Sequence, residues 1–430
     1  MSYWLYLLFT ISYFVHLPSR IPELGQIRFD FVLMALTLLF LLLEGHHLFP
    51  YDGHCLATSR LLRFILFVLV TIPFVEWPGS VIRSNLAEYA KVVMFYFFTV
   101  SIIKTETRLK GFLSVFLACQ VFRILEPTYL HVTTGYWGSG ASYLGYDNSF
   151  MILRRLSGAP DDVVNPNQFA AVINTTLPFL YYLGIKNARF WRLLILPLFP
   201  ISLYAEVLTG SRSGILSLIV LVVAVCILSQ HKLRAVAIAA VFLVPISLLV
   251  AQHMGPDLAD RYLSIIDRSK PHGEGASKRL RGQSEALSVA LSRPLFGYGL
   301  GTSMEFDSNI LRARRPQKPH NLYFETLLEV GIVGFVFFAT YLHAICLNGI
   351  QAKRFLHSGQ PRSFWLMNLV LATQVWIIMD LFYSFSVFGL TSWEWYLFGG
   401  ISTVCLRLAE HQHLAETRKG LTTLGVASHA

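Results

Sequence analysis

Residues 212–230 read RSGILSLIVLVVAVCILSQ, a single arginine followed by an unbroken uncharged run. Such a run is close to the roughly 20 residues a helix needs to cross the hydrocarbon layer. Lipid offers no partner for backbone N–H and C=O groups, so a span must satisfy its own, as a helix does. The apolar residues are continuous and do not alternate, which argues against a barrel strand. Outward from this stretch, comparable runs recur near 2–18, 27–45, 61–77, 87–103, 110–126, 168–185, 190–208, 234–252, 321–347, 363–384 and 387–407. The predicted fold class is therefore an all-α polytopic membrane protein of about twelve transmembrane helices. Residues 1–407 are predicted to form one transmembrane domain and 408–430 a short polar, disordered tail.

Composition agrees with this reading. Charged residues make up 14% of the chain and hydrophobic ones 54%, whereas charges alone reach about a quarter of a soluble domain. The formal net charge of +10 does not describe a nucleic-acid-binding face, because the basic residues are dispersed over many short loops. Alternate loops carry them: Arg60 and Arg63; Lys104, Arg108 and Lys110; Lys186, Arg189 and Arg192; Lys232 and Arg234; Lys353, Arg354 and Arg362. Short basic loops stay inside, so that side is predicted to be cytoplasmic, with both termini. The first run lacks a basic leader and a small-residue cleavage site, so it reads as a retained helix. Cys55, Cys119, Cys226, Cys346 and Cys405 lie in or beside spans or on the inner side, and imply no disulfide framework.

Two connections, 127–167 and 253–320, exceed the length of simple turns, and the second separates the ninth and tenth spans. Both fall outside in the deduced topology. Within the second, residues 277–292 place Leu280, Leu287 and Leu291 on one helical face and stop before Pro294, which predicts an amphipathic surface helix.

Three polar features share one geometry, since each stands where a span begins on the outer side and runs inward. Helix N-termini expose free N–H groups and a favourable dipole, so each is suited to an anion. The first is Thr209-Gly210-Ser211-Arg212-Ser213-Gly214. Here Ser211 can cap the helix, the glycines permit close approach, and Arg212 supplies a fixed cation on the side expected to be poor in arginine. The second is Pro319-His320-Asn321, followed by Glu329, Gly331 and Gly334. Positive potential at that helix start disfavours a charged imidazole, leaving His320 able to accept a proton. The third is Arg155-Leu156-Ser157-Gly158 with Asn165-Pro166-Asn167 before the sixth span. Arg155 can meet a phosphate and Asn167 can cap the helix, although a purely structural cap and turn fits the same residues.

Between these lie Arg279 and Arg281 on the surface helix, then the glycine-rich run 294–301, PLFGYGLG. A dinucleotide fingerprint would need a preceding strand and a βαβ unit, so this run reads as a tight turn. Asp161 and Asp162 have no further ligand at suitable spacing, and His46, His47, Asp52 and His54 match no standard site, so no metal centre is predicted. Glu206, Glu325, Glu329, Asp380 and Glu394 fall within the bilayer, where carboxylates are costly unless paired. Site arginines are the expected partners, and Asp380 and Glu325 are candidates for substrate contact.

Taken in order, Arg-x-x-Gly with Asn-Pro-Asn, Ser-Arg-x-Gly, an arginine fifteen positions before Pro-Leu-x-Gly-x-Gly, and His-Asn-x7-Glu-x-Gly resemble the O-antigen ligase and polymerase superfamily over about residues 150–340. The resemblance implies a bacterial inner-membrane enzyme acting at the periplasmic face on a glycan carried by a polyprenyl diphosphate. It implies no cofactor and an acceptor that is a glycan, a lipid A-core or a protein. It also implies that Arg212, a loop arginine and His320 are the functional residues. Family loops often carry a tryptophan shortly after the loop arginine, whereas Gln283 stands here, which leaves Arg279 and Arg281 both eligible. Ser211, Asn321, Asn167 and Arg155 are then expected to line the substrate site. A ligase is the first expectation and a repeat-unit polymerase the second. A transporter is the alternative of another class, but it should show paired halves and helices interrupted near the midplane, and neither is evident in the sequence.

Overall fold

The computed structural model describes residues 1–48, 55–138, 154–162, 164–185, 192–229, 256–267, 287–288, 290–312, 319–357, 363–387 and 389–427. Among them eleven helices reach eleven residues or more, and there is no strand. In chain order they are α1 Ser2–Val15, α2 Phe29–Leu43, α3 Leu56–Thr71, α4 Leu86–Ile102, α5 Glu106–Thr134 and α6 Pro166–Phe179. The rest are α7 Leu198–Leu208, α8 Arg212–Leu228, α9 Leu322–His357, α10 Phe364–Tyr383 and α11 Glu394–Ala427. Each overlaps one of the predicted apolar runs. The run at 234–252 lies outside the described residues, as does most of the surface helix predicted over 277–292.

Three of these segments are long and apolar enough to cross a bilayer: Leu56–Phe74, Leu322–His357 and Phe364–Tyr383. Ser2–Val15, Phe29–Leu43 and Arg212–Leu228 are shorter apolar helices. Large apolar side chains such as Leu66, Val70, Ile219, Val223, Ile227, Val336 and Ile350 are exposed on their outer faces. Water would not tolerate so continuous an apolar exterior, whereas lipid does. The interior is aromatic, with Tyr6, Phe9, Phe95, Phe98, Tyr341, Trp376 and Trp395 fully buried.

The bundle has two chemically distinct ends. At one, the Lys104 ammonium lies 3.0 Å from the His46 ring, the Ser363 hydroxyl donates to Glu106 at 2.9 Å, and Arg407 donates to the carbonyls of Val100 and Ile103. Three of the loops predicted to be inside, those between α2 and α3, α4 and α5, and α9 and α10, therefore gather together. Helix α10 leaves this end at its Ser363 cap and finishes at Tyr383, about 30 Å away at 1.5 Å per residue.

Two expectations change. Helix α11 continues to Ala427, so the polar tail extends the last helix and is not an unstructured appendage. Helix α9 is broken at Gly331, whose φ of 68° is a left-handed conformation. An interrupted helix is thus present, contrary to the sequence reading. The break is filled by the chain itself. Pro294 accepts from the Ile332 amide (2.7 Å), while the carbonyls of Leu328 and Glu329 accept from the amides of Tyr298 and Gly299 (both 2.9 Å). The Glu329 carboxylate completes the join by accepting from the Gly301 amide at 2.7 Å.

Candidate functional site

At the end opposite the basic loops, the starts of α6, α8 and α9 come together. Helix α6 opens with Asn165, whose Oδ1 accepts from the amides of Asn167 (2.9 Å) and Gln168 (3.0 Å), and Gln168 returns a bond to the Asn165 amide. The cap is therefore Asn165, not Asn167 as the sequence reading has it. Proline at the first helical position favours the residue before it as cap. Asn167 is released for another task, and its Oδ1 accepts from Arg155 Nη2 at 2.7 Å.

Arg155 is buried, and its Nε donates to the Thr209 carbonyl at 2.7 Å. It thus braces the start of α6 against the turn that opens α8. In that turn Gly210 has φ +59°, and a Cβ there would lie 2.8 Å from Leu258 and 3.3 Å from the Arg155 guanidinium. Only glycine admits this approach without strain. Ser211 caps α8 as predicted, its hydroxyl accepting from the Gly214 amide at 3.1 Å. Gly214 in turn lies against Glu206 and Ala170. Arg212, half-buried at the first position of α8, donates from Nη1 to the Ser264 hydroxyl at 3.0 Å.

The third helix start is tied in through the end of α10. The Leu322 amide donates to the Ser384 carbonyl at 2.8 Å, which fixes His320 and Asn321 beside that corner. Asn321 is the cap of α9, its Oδ1 accepting from the amides of Tyr323 (3.0 Å) and Phe324 (3.2 Å). Next to Ser384, the Tyr383 hydroxyl donates to the Asn167 carbonyl at 2.7 Å. Tyr383 and Ser384 therefore join the starts of α6 and α9, while Arg155 ties the start of α6 to the turn that opens α8. Asp380 stands one turn inward, its carbonyl accepting from the Ser384 amide at 2.8 Å. Glu325 accepts from the amides of Gly389 (2.7 Å) and Leu390 (3.0 Å), which holds the connection between α10 and α11.

Among the described residues, the buried Glu206 carboxyl accepts from an amide, Asn174 Nδ2, at 3.4 Å. Asp162 is bound by Arg123 through two bonds of 2.8 and 3.0 Å and lies 3.1 Å from His16 Nε2. Burial raises the Asp162 carboxyl, but the hydrogen bond from His16 and the Arg123 guanidinium outweigh it and hold the group at about 2.

Sequence reasoning missed Tyr383, Ser384, Arg261 and Ser264. The first pair had a faint signal, two hydrogen-bonding residues at the outer end of an otherwise apolar run. The second pair had none, since nothing local marks Arg261 among the loop bases. Arg279 and Arg281 lie outside the described residues.

A fixed cation, capped helix starts gathered at one corner and a histidine preceding one of those caps in the chain are the kinds of group that hold an oxyanion and move a proton. No curated protein matches the chain. The family model described as O-antigen ligase matches residues 176–339, a stretch that holds Ser211, Arg212 and His320 but not Arg155 or Asn167, and the match supports a likeness of that stretch to the O-antigen ligase-like superfamily.

Proposed function

We propose that the protein is a glycosyltransferase of the bacterial inner membrane that moves a polyprenyl-diphosphate-linked glycan onto an acceptor at the periplasmic face, as an O-antigen ligase does. The family match supports a membrane protein of glycan ligation or polymerisation. The observation that carries the finer reading is the gathering of three helix starts at the end away from the basic loops, with Arg212 on one and His320 on another.

In the proposed reaction, Arg212 and a loop arginine, Arg279 or Arg281, grip the donor diphosphate by charge-assisted bonds. Arg155 braces the turn. His320 accepts the proton of the acceptor hydroxyl while that oxygen attacks the anomeric carbon. The bond from that carbon to the diphosphate oxygen breaks, its electron pair leaves with the polyprenyl diphosphate, and a single displacement inverts the centre. The guanidinium groups supply the charge neutralisation that a divalent cation provides elsewhere. Asp380, whose carbonyl accepts from the Ser384 amide, is assigned a substrate contact in this reading.

The test is glycan transfer by the purified protein in lipid nanodiscs with a polyprenyl-diphosphate-linked oligosaccharide. Loss of a general base costs about 10²- to 10⁴-fold, so His320→Ala should lose turnover on that scale while the protein still inserts. Wild-type turnover by that variant contradicts the assignment. Cells lacking the protein should accumulate finished polymer still on its lipid, whereas single lipid-linked units would mark a polymerase.

A further inference from the structure

The short helix Pro256–Leu263 and the residue after it form a clamp on the Thr209–Arg212 turn. Arg261, buried, donates from Nε to the Gly210 carbonyl at 2.6 Å, and the Tyr262 hydroxyl donates to the Val207 carbonyl at 2.8 Å. Leu258 is packed against Gly210. Ser264, also buried, closes the figure: its hydroxyl donates to the Arg261 carbonyl at 2.6 Å and accepts from Arg212 Nη1 at 3.0 Å.

A serine hydroxyl has one proton to donate and lone pairs to accept. Because the Ser264 proton is committed to a carbonyl, its lone pairs point toward the guanidinium, and the hydroxyl acts as a directed acceptor. The carbonyl belongs to Arg261, which itself grips the residue two before Arg212. A closed circuit of Gly210, Arg261, Ser264 and Arg212 results, in which the Arg212 fork donates to a hydroxyl 52 residues away in the chain. We propose that Ser264 is the positioning residue that aims Arg212, with Arg261 holding Ser264 in register, so that the outer loop sets the orientation of the cation on α8. The catalytic consequence rests on the reading of Arg212 as a ligand of the donor diphosphate.

The experiment combines kinetics and structure on the full-length protein in nanodiscs. Transfer is measured for wild type, Ser264→Ala, Ser264→Thr, Arg212→Ala and the Ser264→Ala/Arg212→Ala double variant, with folded protein quantified for each. Loss of a hydrogen bond to a charged group corresponds to about tenfold or more, so Ser264→Ala should raise the donor KM about tenfold with the larger part of kcat kept. Threonine, which retains the hydroxyl, should restore it. In the Arg212→Ala background the serine should no longer matter, because the two act as one unit. An equal loss from Ser264→Ala in both backgrounds, or none in either, overturns the proposal. In parallel, cryo-EM of Ser264→Ala should show the Arg212 guanidinium displaced from its wild-type direction, and an unmoved guanidinium overturns the aiming role. Should the wild type transfer no glycan, the functional reading fails, and the position of Arg212 in the Ser264→Ala structure still decides the positioning claim.

Discussion

At the scale of single residues, the proposed chemistry rests on groups whose partners fix their direction. Arg212 offers a planar fork matched to a diphosphate, whereas lysine offers a compact point charge. Arg212→Lys is therefore expected to recover only a small part of the transfer lost in Arg212→Ala, measured as kcat/KM on the lipid-linked donor. Asp162 shows the opposite use of charge. Its carboxylate and Arg123 are both buried, and breaking such a pair costs about 3–5 kcal/mol because one charge is left uncompensated. Asp162→Asn should lower the thermal unfolding midpoint in detergent clearly. The folded carboxyl is held at about 2, below its unfolded value of about 3.9. Its contribution is thus complete above the unfolded value and falls away as pH drops from there through the folded one. The gap in midpoint between wild type and Asp162→Asn should accordingly persist at pH 5 and narrow below about pH 4. Much at this scale was legible. Ser211 declares itself as a cap, and the proline after Asn165 is the signal that makes Asn165, not Asn167, the cap of α6. Tyr383 and Ser264 were not legible, because each acts on a residue far away in the chain that only the folded bundle brings near.

At the scale of elements, the break in α9 binds two motifs that look separate in the sequence. The glycine-rich run after Pro294 and the Glu329-Val330-Gly331 segment make one unit, in which the turns of the run take the hydrogen bonds that the helix gives up at Gly331. A side chain at Gly331 would press on the Leu295 carbonyl and would have to adopt a left-handed φ. Strain of this kind costs about 1–3 kcal/mol. Gly331→Ala should therefore loosen the 294–303 segment, seen as faster limited proteolysis there, with a loss of transfer that follows the loosening. A glycine inside an apolar helical run is a warning in the sequence. What fills the resulting gap is decided by packing and could not be read from it.

At the scale of the whole molecule, hydropathy carried most of the fold. The long helices coincide with apolar runs because the length of a span is set by the membrane and not by subtle packing. The two ends of the bundle also follow the distribution of basic residues, as the contacts of Lys104, Glu106, Ser363 and Arg407 with their neighbours illustrate. If the basic end is cytoplasmic, single cysteines placed in a background without the native five will differ in access. Thr134→Cys, at the site end of α5, should react with a membrane-impermeant maleimide in cells whose outer membrane is permeabilised. His411→Cys, toward the basic end of α11, should react only after the inner membrane is opened. The reverse pattern would invert the topology. What hydropathy could not supply is the convergence of the helix starts, which depends on the crossing of α6, α8 and α10.

The most direct measurement of that convergence is a cryo-EM structure of the full-length protein in nanodiscs with a polyprenyl diphosphate bound. The diphosphate is expected at the shared corner of α6, α8 and α9, within hydrogen-bonding distance of the Arg212 guanidinium and with His320 on the side from which an acceptor hydroxyl would reach the anomeric carbon. Density for the diphosphate at the basic end, or at any site out of reach of both Arg212 and His320, would contradict the account.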